Sequence, residues 1–276
     1  MKIFRKASEL EPNLVSIKDK GQSIGLVLTM GNLHDGHLSL IREAQLHNEF
    51  VICSIFINPT QFNNENDFNS YPKTIDEDIS KLENIGCNVL FLPEVQEIYP
   101  KGLAKKKIVN NFRNILCDKF RPGHFDGVTT VVDLFFNMIK PTNSYFGEKD
   151  FQQVKIIQDL VKINHHNIKI IQCPSVRDKT GMSLSSRNSK FSNDQLKIFN
   201  VLGNKIKEHI NLLTQNEINN LDQLKIEFLQ NNINKIDYLE IRNENNLEIT
   251  KNYSEARLFI ALYIGDIRII DNFKLY

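Results

Sequence analysis

Short apolar runs alternate with amphipathic stretches through the first part of the chain. From Ile24 the sequence reads "IGLVLT", then the helix-period stretch "HLSLIREAQLH", then "FVICSIFIN" from Phe50 to Asn58, "TIDEDISKLENIG", and "NVLFLP" from Asn88 to Pro93. The runs are apolar on both faces, as strands covered by helices on two sides must be; a strand with one wet face would alternate instead. In "TIDEDISKLENIG", Thr74 followed by Glu77 reads as a capping box and Gly86 as the helix stop. The same alternation returns with "DGVTTVVDLFFNMIK" as a helix, "TNSYFG" as a strand, "DFQQVKIIQDLVKI" as a helix and "IKIIQCP" as a strand.

The pattern predicts an α/β architecture, a Rossmann-like parallel sheet with helices on both faces, over residues 1–175. Between Glu94 and Arg121 it is irregular, and "KGLAKKKIVNNF" reads as an insertion across the top of the sheet, with Lys105, Lys106 and Lys107 as a solvated face. After the turn-rich "PSVRDKTGMSLSSRNSKFS" the period changes. Two helical stretches, about 193–213 and 221–231, precede "KIDYLEIR", "ARLFIALYI" and "DIRIIDNF", which predicts a smaller α+β C-terminal domain over 176–276.

Composition narrows the class of partner. The 276 residues are 41% hydrophobic and 24% charged, with a formal net charge of +1. Such a balance fits a globular protein and argues against broad attraction to nucleic acid or an anionic membrane, while leaving room for a local basic cleft. The start "MKIFRKASELEPN" carries charges where a signal peptide has an apolar stretch, so a cytoplasmic location is expected. Cys53, Cys87, Cys117 and Cys173 are far apart and read as free buried thiols.

Several unusual polar clusters fall at predicted strand ends, where an open α/β sheet binds its ligands and the following helices point their amino ends. After the first run come Met30, Gly31, His34, Gly36 and His37; two imidazoles at a helix start suit an anion, although a solvent-facing pair is the plainer reading of HxGH alone. "NPTQF" places Asn58 and Gln61 in the same layer, and a glutamine can read a hydroxyl or carboxylate without adding charge. "GEKDFQQ" offers Lys149 for phosphates, Asp150 for a ribose hydroxyl and Gln153 for a second substrate. A lysine at a helix start opposes the dipole, which favours a bound anion over an idle charge. "GMSLSSRN" supplies Ser185, Ser186 and Arg187 either as a helix cap or as a mobile phosphate clamp. His124 precedes a helix in "RPGHFDGVTTVV", and Asp76, Glu77 and Asp78 form a helix amino end that could alternatively bind magnesium.

Taken in order, "TMGNLHDGH", "SIFINPTQF", "YPKT", "RPGHFDGVTTVV", "YFGEKDFQQ" and "LSSRN" closely resemble the pantothenate synthetase family, pantoate–β-alanine ligases of coenzyme A biosynthesis within the HxGH nucleotidyltransferase superfamily. The resemblance implies an ATP-dependent condensation of pantoate with β-alanine through a pantoyl adenylate, releasing pyrophosphate and AMP, in a homodimer that uses Mg²⁺. By motif, it assigns His34, His37, Lys149, Ser185, Ser186 and Arg187 to phosphoryl-charge stabilisation. It assigns Met30, Gly147, Asp150 and Val176 to ATP, Gln61 and Gln153 to pantoate, and Asp78 to the metal. Leu28, Asn32 and Ser183 depart from the family's usual proline, small apolar residue and alanine, and none of the three removes a catalytic group. A cytidylyltransferase would share HxGH and a phosphate loop but lack "NPTQF" and "DFQQ"; a catalytically silent nucleotide-binding module would have lost a phosphate ligand.

Overall fold

The computed structural model describes every residue except 64, 103–105, 166 and 215–220, so Lys105 lies outside the described residues. The chain divides into two compact units, Met1–Arg113 with Arg121–Pro174, and Asn114–Phe120 with Ser175–Tyr276.

Along the first part of the chain the elements run β1 (Lys2–Phe4), α1 (Ala7–Asp19), β2 (Ile24–Thr29), α2 (Asp35–His47), β3 (Phe50–Ile55), α3 (Glu65–Asn69), α4 (Ile75–Asn84), β4 (Val89–Phe91), α5 (Val95–Ile98), α6 (Leu116–Phe120), α7 (His124–Ile139), β5 (Asn143–Gly147), α8 (Phe151–Asn164) and β6 (Lys169–Cys173). The six strands form one parallel sheet in the order β1-β4-β3-β2-β5-β6. From β2 the chain winds outward to β3 and β4, then returns to place β5 on the other side of β2. That reversal is the topological switch point, where open sheets open a crevice at their carboxyl edge. Leu26 and Val27 point to opposite faces of β2 and are both 0% exposed, which is why these runs are apolar throughout. On one face Val27, Cys53 and Leu90 pack with Leu40, Ile41 and Ala44 of α2 and Leu82 of α4. Each such buried side chain contributes about 1.5–3 kcal/mol.

In the second unit, α9 (Asn193–Thr214) and α10 (Leu221–Gln230) are followed by β7 (Lys235–Asn243), β8 (Ala256–Ile264) and β9 (Ile267–Lys274), which form an antiparallel sheet in the order β7-β8-β9. Phe199, Leu202, Ile206, Leu224 and Phe228 of the helices pack with Leu258, Ile260 and Leu262 of β8.

Three expectations are corrected, and two elements lie outside any expectation. The N-terminal β1 and α1 carry no clear sequence signal, because β1 is only Lys2–Phe4 and α1 contains Pro12. The strand read through Asn58 stops at Ile55, and Asn58 instead caps a 3₁₀ turn over Pro59–Gln61. The stretch read as an insertion over the sheet is divided: Asn114–Phe120 belongs to the second unit, where the Cys117 thiol lies 3.1 Å from the Tyr238 hydroxyl. Finally, Thr74 makes no side-chain capping bond; its hydroxyl donates to Asp78 Oδ2 at 3.2 Å. All four cysteines are free and buried, and burial pushes the Cys87 and Cys173 thiols up to about 11 and about 12.

Candidate active site

The turn after β2 is shaped by a carboxylate from another element. Gly31 (φ 82°) and Asn32 (φ 49°) are both left-handed, a conformation glycine adopts freely and asparagine tolerates. The turn aims the amides of Asn32 and Leu33 at Asp78 Oδ2 and Oδ1, at 2.8 and 2.7 Å. Asp78 is 0% exposed and also accepts the Thr74 hydroxyl, so its oxygens are committed to holding the turn. Asp78 is thus a buried anchor of this turn, and removing it would orphan amides that cost about 1–3 kcal/mol each when unsatisfied.

Held this way, His34 becomes the N-cap of α2. Its Nδ1 accepts the Gly36 amide at 3.1 Å, and His37 Nδ1 accepts the His34 amide at 3.4 Å. A peptide N–H can only donate, so both Nδ1 atoms are acceptors and the ring proton of each neutral imidazole sits on Nε2. A Cβ at Gly36 would lie 2.8 Å from His34 Cε1, so any larger residue there would shift the imidazole. Burial, then the Lys149 ammonium and Lys81, depress the His34 pKa to about 4, against the opposing pull of Asp35 and Asp150. Burial, then His34, Lys149 and Lys81, hold His37 well below the ordinary histidine range. The pair, with ring centroids 4.1 Å apart, is thus two neutral N–H donors beside a cation.

One strand away, β3 ends in the turn carrying Gln61. Asn58, 1% exposed, donates to Gly127 O and to Gln61 Oε1, each at 3.1 Å, and Gln61 Nε2 faces Met30 Sδ at 2.9 Å. α7 presses directly on this turn. A Cβ on Gly127 would sit 2.3 Å from the Thr60 carbonyl oxygen, so glycine alone permits the approach. His124, whose role the sequence left open, is buried: its Nδ1 lies 2.7 Å from Gln61 O and its Nε2 3.1 Å from Arg121 Nη1. Since guanidinium only donates, Nε2 accepts and Nδ1–H donates to the Gln61 carbonyl. Tyr99, whose hydroxyl donates to Asn58 Oδ1 at 2.8 Å, and Gly127 are the residues supporting this turn that sequence patterning did not single out.

On the other side of β2, β5 ends at Gly147, followed by a 3₁₀ turn over Glu148–Asp150 and then α8. Gly147 has an ordinary φ of −74° and nothing within 4 Å of a Cβ built on it. The protein itself does not require glycine there, whereas a ligand lying against the backbone would. Lys149 Nζ lies 3.9 Å from Asp150 Oδ2, and Gln153 is half-buried on the first turn of α8. Met30, His34, His37, Gln61, Gly147, Lys149 and Asp150 thus follow the carboxyl ends of three adjacent strands, β3, β2 and β5.

Val176, Ser185, Ser186 and Arg187 belong to the second unit. Residues 176–184 fold back on themselves: the Leu184 amide donates to Val176 O at 2.9 Å, and Asp178 Oδ1 gathers the Thr180 amide and hydroxyl. The loop is tied to β9 through Asp271, which accepts the Ser183 amide and hydroxyl, each at 2.7 Å, and Arg177 Nη1 at 3.2 Å. The Ser183 hydroxyl therefore makes a bond that alanine could not. Ser185 Oγ then caps the 3₁₀ turn Ser186–Lys190 by accepting the Arg187 amide at 3.2 Å.

Among the described residues, no group of three or more His, Cys, Asp or Glu side chains could hold a metal ion, and Asp78 is spent on the turn. No helix among the described residues is long and apolar enough to cross a membrane.

Comparison with known proteins places this architecture. The pantothenate synthetase of Acetivibrio thermocellus is 39% identical over 277 residues, covering 99% of this chain and 98% of that one. The pantothenate synthetase of Francisella tularensis subsp. novicida is 44% identical over 259 residues, covering 92% and 90%. The crystal structure of pantothenate synthetase from Thermus thermophilus superposes with a TM-score of 0.90 at 31% identity, covering 100% of each chain. That of pantoate-beta-alanine ligase from Francisella tularensis, described as complexed with beta-gamma ATP and beta-alanine, gives 0.85 at 39% identity, covering 100% and 98%. The family profile described as Pantoate-beta-alanine ligase matches residues 2–274, and with this span and these identities the chain belongs to the pantoate–β-alanine ligase family.

Proposed function

We propose that the chain condenses pantoate with β-alanine at the expense of ATP through an enzyme-bound pantoyl adenylate. The observation that carries this reading is the pair of neutral Nε2–H donors, His34 and His37, at the switch point beside Lys149. A carboxylate is a poor electrophile and needs a leaving group before an amine can displace it. A pantoate carboxylate oxygen attacks the α-phosphorus of ATP and pyrophosphate departs. The β-alanine amine then attacks the pantoyl carbonyl, and AMP leaves with that bridging oxygen. Donors preset toward developing phosphoryl charge lower such barriers by about 2.7–4 kcal/mol each. Neutral imidazoles can fill this role without first being deprotonated or discharged.

In the same reading Lys149, Ser185, Ser186 and Arg187 meet the phosphates. Met30, Gly147, Asp150 and Val176 meet the rest of ATP, with the bare Gly147 backbone as support. Gln61 and Gln153 hold pantoate. Mg²⁺ enters as the counter-ion of the ATP phosphates, as part of the substrate. The chemistry needs no covalent enzyme nucleophile.

The test is isotopic. Pantoate labelled with ¹⁸O in its carboxylate should yield labelled AMP, and pantoate with MgATP should support pyrophosphate exchange into ATP without β-alanine. Label in inorganic phosphate with ADP as product would overturn the adenylate.

A further inference from the structure

We propose that Tyr99 is a positioning residue for pantoate recognition, its hydroxyl acting through Asn58 to hold the Gln61 carboxamide with N–H rather than oxygen toward the substrate. The proposal rests on the reading of Gln61 as a pantoate ligand. The polarity of the chain of groups follows from backbone atoms whose roles are not open to choice. Thr60 N–H, 3.3 Å from Asn58 Oδ1, can only donate, and Gly127 C=O, 3.1 Å from Asn58 Nδ2, can only accept. The Asn58 amide is therefore fixed in one orientation. Its Nδ2 has no acceptor capacity, so the Gln61 atom facing it at 3.1 Å must be Oε1. Gln61 Nε2 is left pointing the other way, where it faces the Met30 thioether at 2.9 Å. Sulfur is a weak acceptor, and a substrate carboxylate or hydroxyl oxygen displaces it with a gain.

Tyr99 supplies the shortest hydrogen bond to Asn58 Oδ1, 2.8 Å, against 2.9 Å from the Thr60 hydroxyl. The Thr60 donors belong to the same turn as Gln61 and move with it. Tyr99 comes from the end of α5, 41 residues along the chain from Asn58. It is 4% exposed, and its ring packs against Phe56 with centroids 6.2 Å apart. Tyr99 and Gly127 thus anchor the two ends of one carboxamide from outside the turn. Beyond Asn58, the Tyr99 hydroxyl meets the Thr60 hydroxyl of that same turn at 3.4 Å.

Tyr99→Phe keeps the ring and removes the donor. The expected result is a rise of about ten-fold in KM for pantoate, the size of one hydrogen bond, with kcat and KM for ATP within about two-fold of wild type. In the Gln61→Ala background the same change should add less than about two-fold, because the relay ends at Gln61. Thermal unfolding reports folding separately: a structural role would lower the melting temperature and leave KM for pantoate in place. An unchanged KM for pantoate in Tyr99→Phe, where Gln61→Ala raises it, would overturn the relay alone. An unchanged KM in Gln61→Ala would instead remove the reading on which the relay stands. Full additivity of the two changes would overturn the route through Gln61.

Discussion

The turn at residues 30–37 of the first unit and the loop at 176–187 of the second are each organised by one interior carboxylate, but the two carboxylates are satisfied differently. Asp78 is met by two peptide amides and a hydroxyl, all uncharged. Asp271 is met by the Arg177 guanidinium as well as by an amide and a hydroxyl of Ser183. The first arrangement fixes backbone, since a carboxylate buried among preset dipoles holds only while every donor stays in place. The second is partly electrostatic, with the Arg177 side chain 27% exposed and its guanidinium also donating to the carbonyls of Gly181 and Asn272. Each unit also brings a helix close to a loop through a glycine: in the first, α7 meets the 58–61 turn at Gly127 with backbone as the obstacle, and in the second, α9 meets the 176–187 loop at Gly203 with side-chain atoms of Thr180 and Met182 as the obstacle. The difference teaches that the β2 turn is held by uncharged donors alone, whereas the serine loop is held in part by an ion pair.

The largest effect should come from the fixed turn. His34→Ala or His37→Ala should lower kcat by an amount corresponding to about 2.7–4 kcal/mol, with folding retained by circular dichroism. Rates within a few-fold of wild type in either well-folded variant would remove the turn from the chemistry. The helix glycines sharpen the contrast. Gly127→Ala should cost about 3 kcal/mol or more in urea unfolding, because neither Thr60 O nor Gln61 N can rotate aside. Gly203→Ala should fall nearer about 1 kcal/mol, since Thr180 and Met182 have rotamers to use. Equal costs would erase the distinction.

The pH response separates the regions further. The folded His34 pKa of about 4 lies below its ordinary value of 6.5, so the unfolded chain binds more protons between them. This contribution to stability is full above 6.5 and is lost as pH falls toward and through about 4. The urea midpoint should therefore fall between pH 7 and pH 5, and His34→Gln should reduce the fall by at most about one proton's slope. An undiminished fall in the variant would show that His34 does not titrate as its surroundings dictate. The smallest effect is expected in the serine loop: Ser183→Ala should cost about 1 kcal/mol, because Asp271 keeps Arg177 and the Ser183 amide. A loss as large as that in Gly127→Ala would make the 176–187 loop as unforgiving as the 58–61 turn.

Much of this was legible in the sequence, for identifiable reasons. "IGLVLT" coincides with β2 because a strand covered on both faces tolerates no polar residue before its end. The HxGH turn stood out because histidines and glycines are unusual directly after such a strand. What escaped depends on long-range contact. Nothing near Asp78 in sequence says that its carboxylate is taken up by amides 45 and 46 residues away. Tyr99 follows a four-residue helix, too short to show a period. Asn114–Phe120 carries no local mark of belonging with strands that come more than a hundred residues later.

That last segment has a consequence for how the chain is made. The backbone passes between the two units at 113–114, 120–121 and 174–175, so no single linker joins them. A ribosome that has delivered residue 174 has supplied the whole parallel sheet, yet Leu116 and Cys117 still await β7 and β8, against which α6 packs. Until the C-terminal strands emerge, Leu116 and Cys117 lack the sheet against which α6 packs. Severing the chain at 174 would strand that segment permanently, so the halves cannot be exchanged between relatives as independent cassettes unless Asn114–Phe120 travels with the C-terminal half.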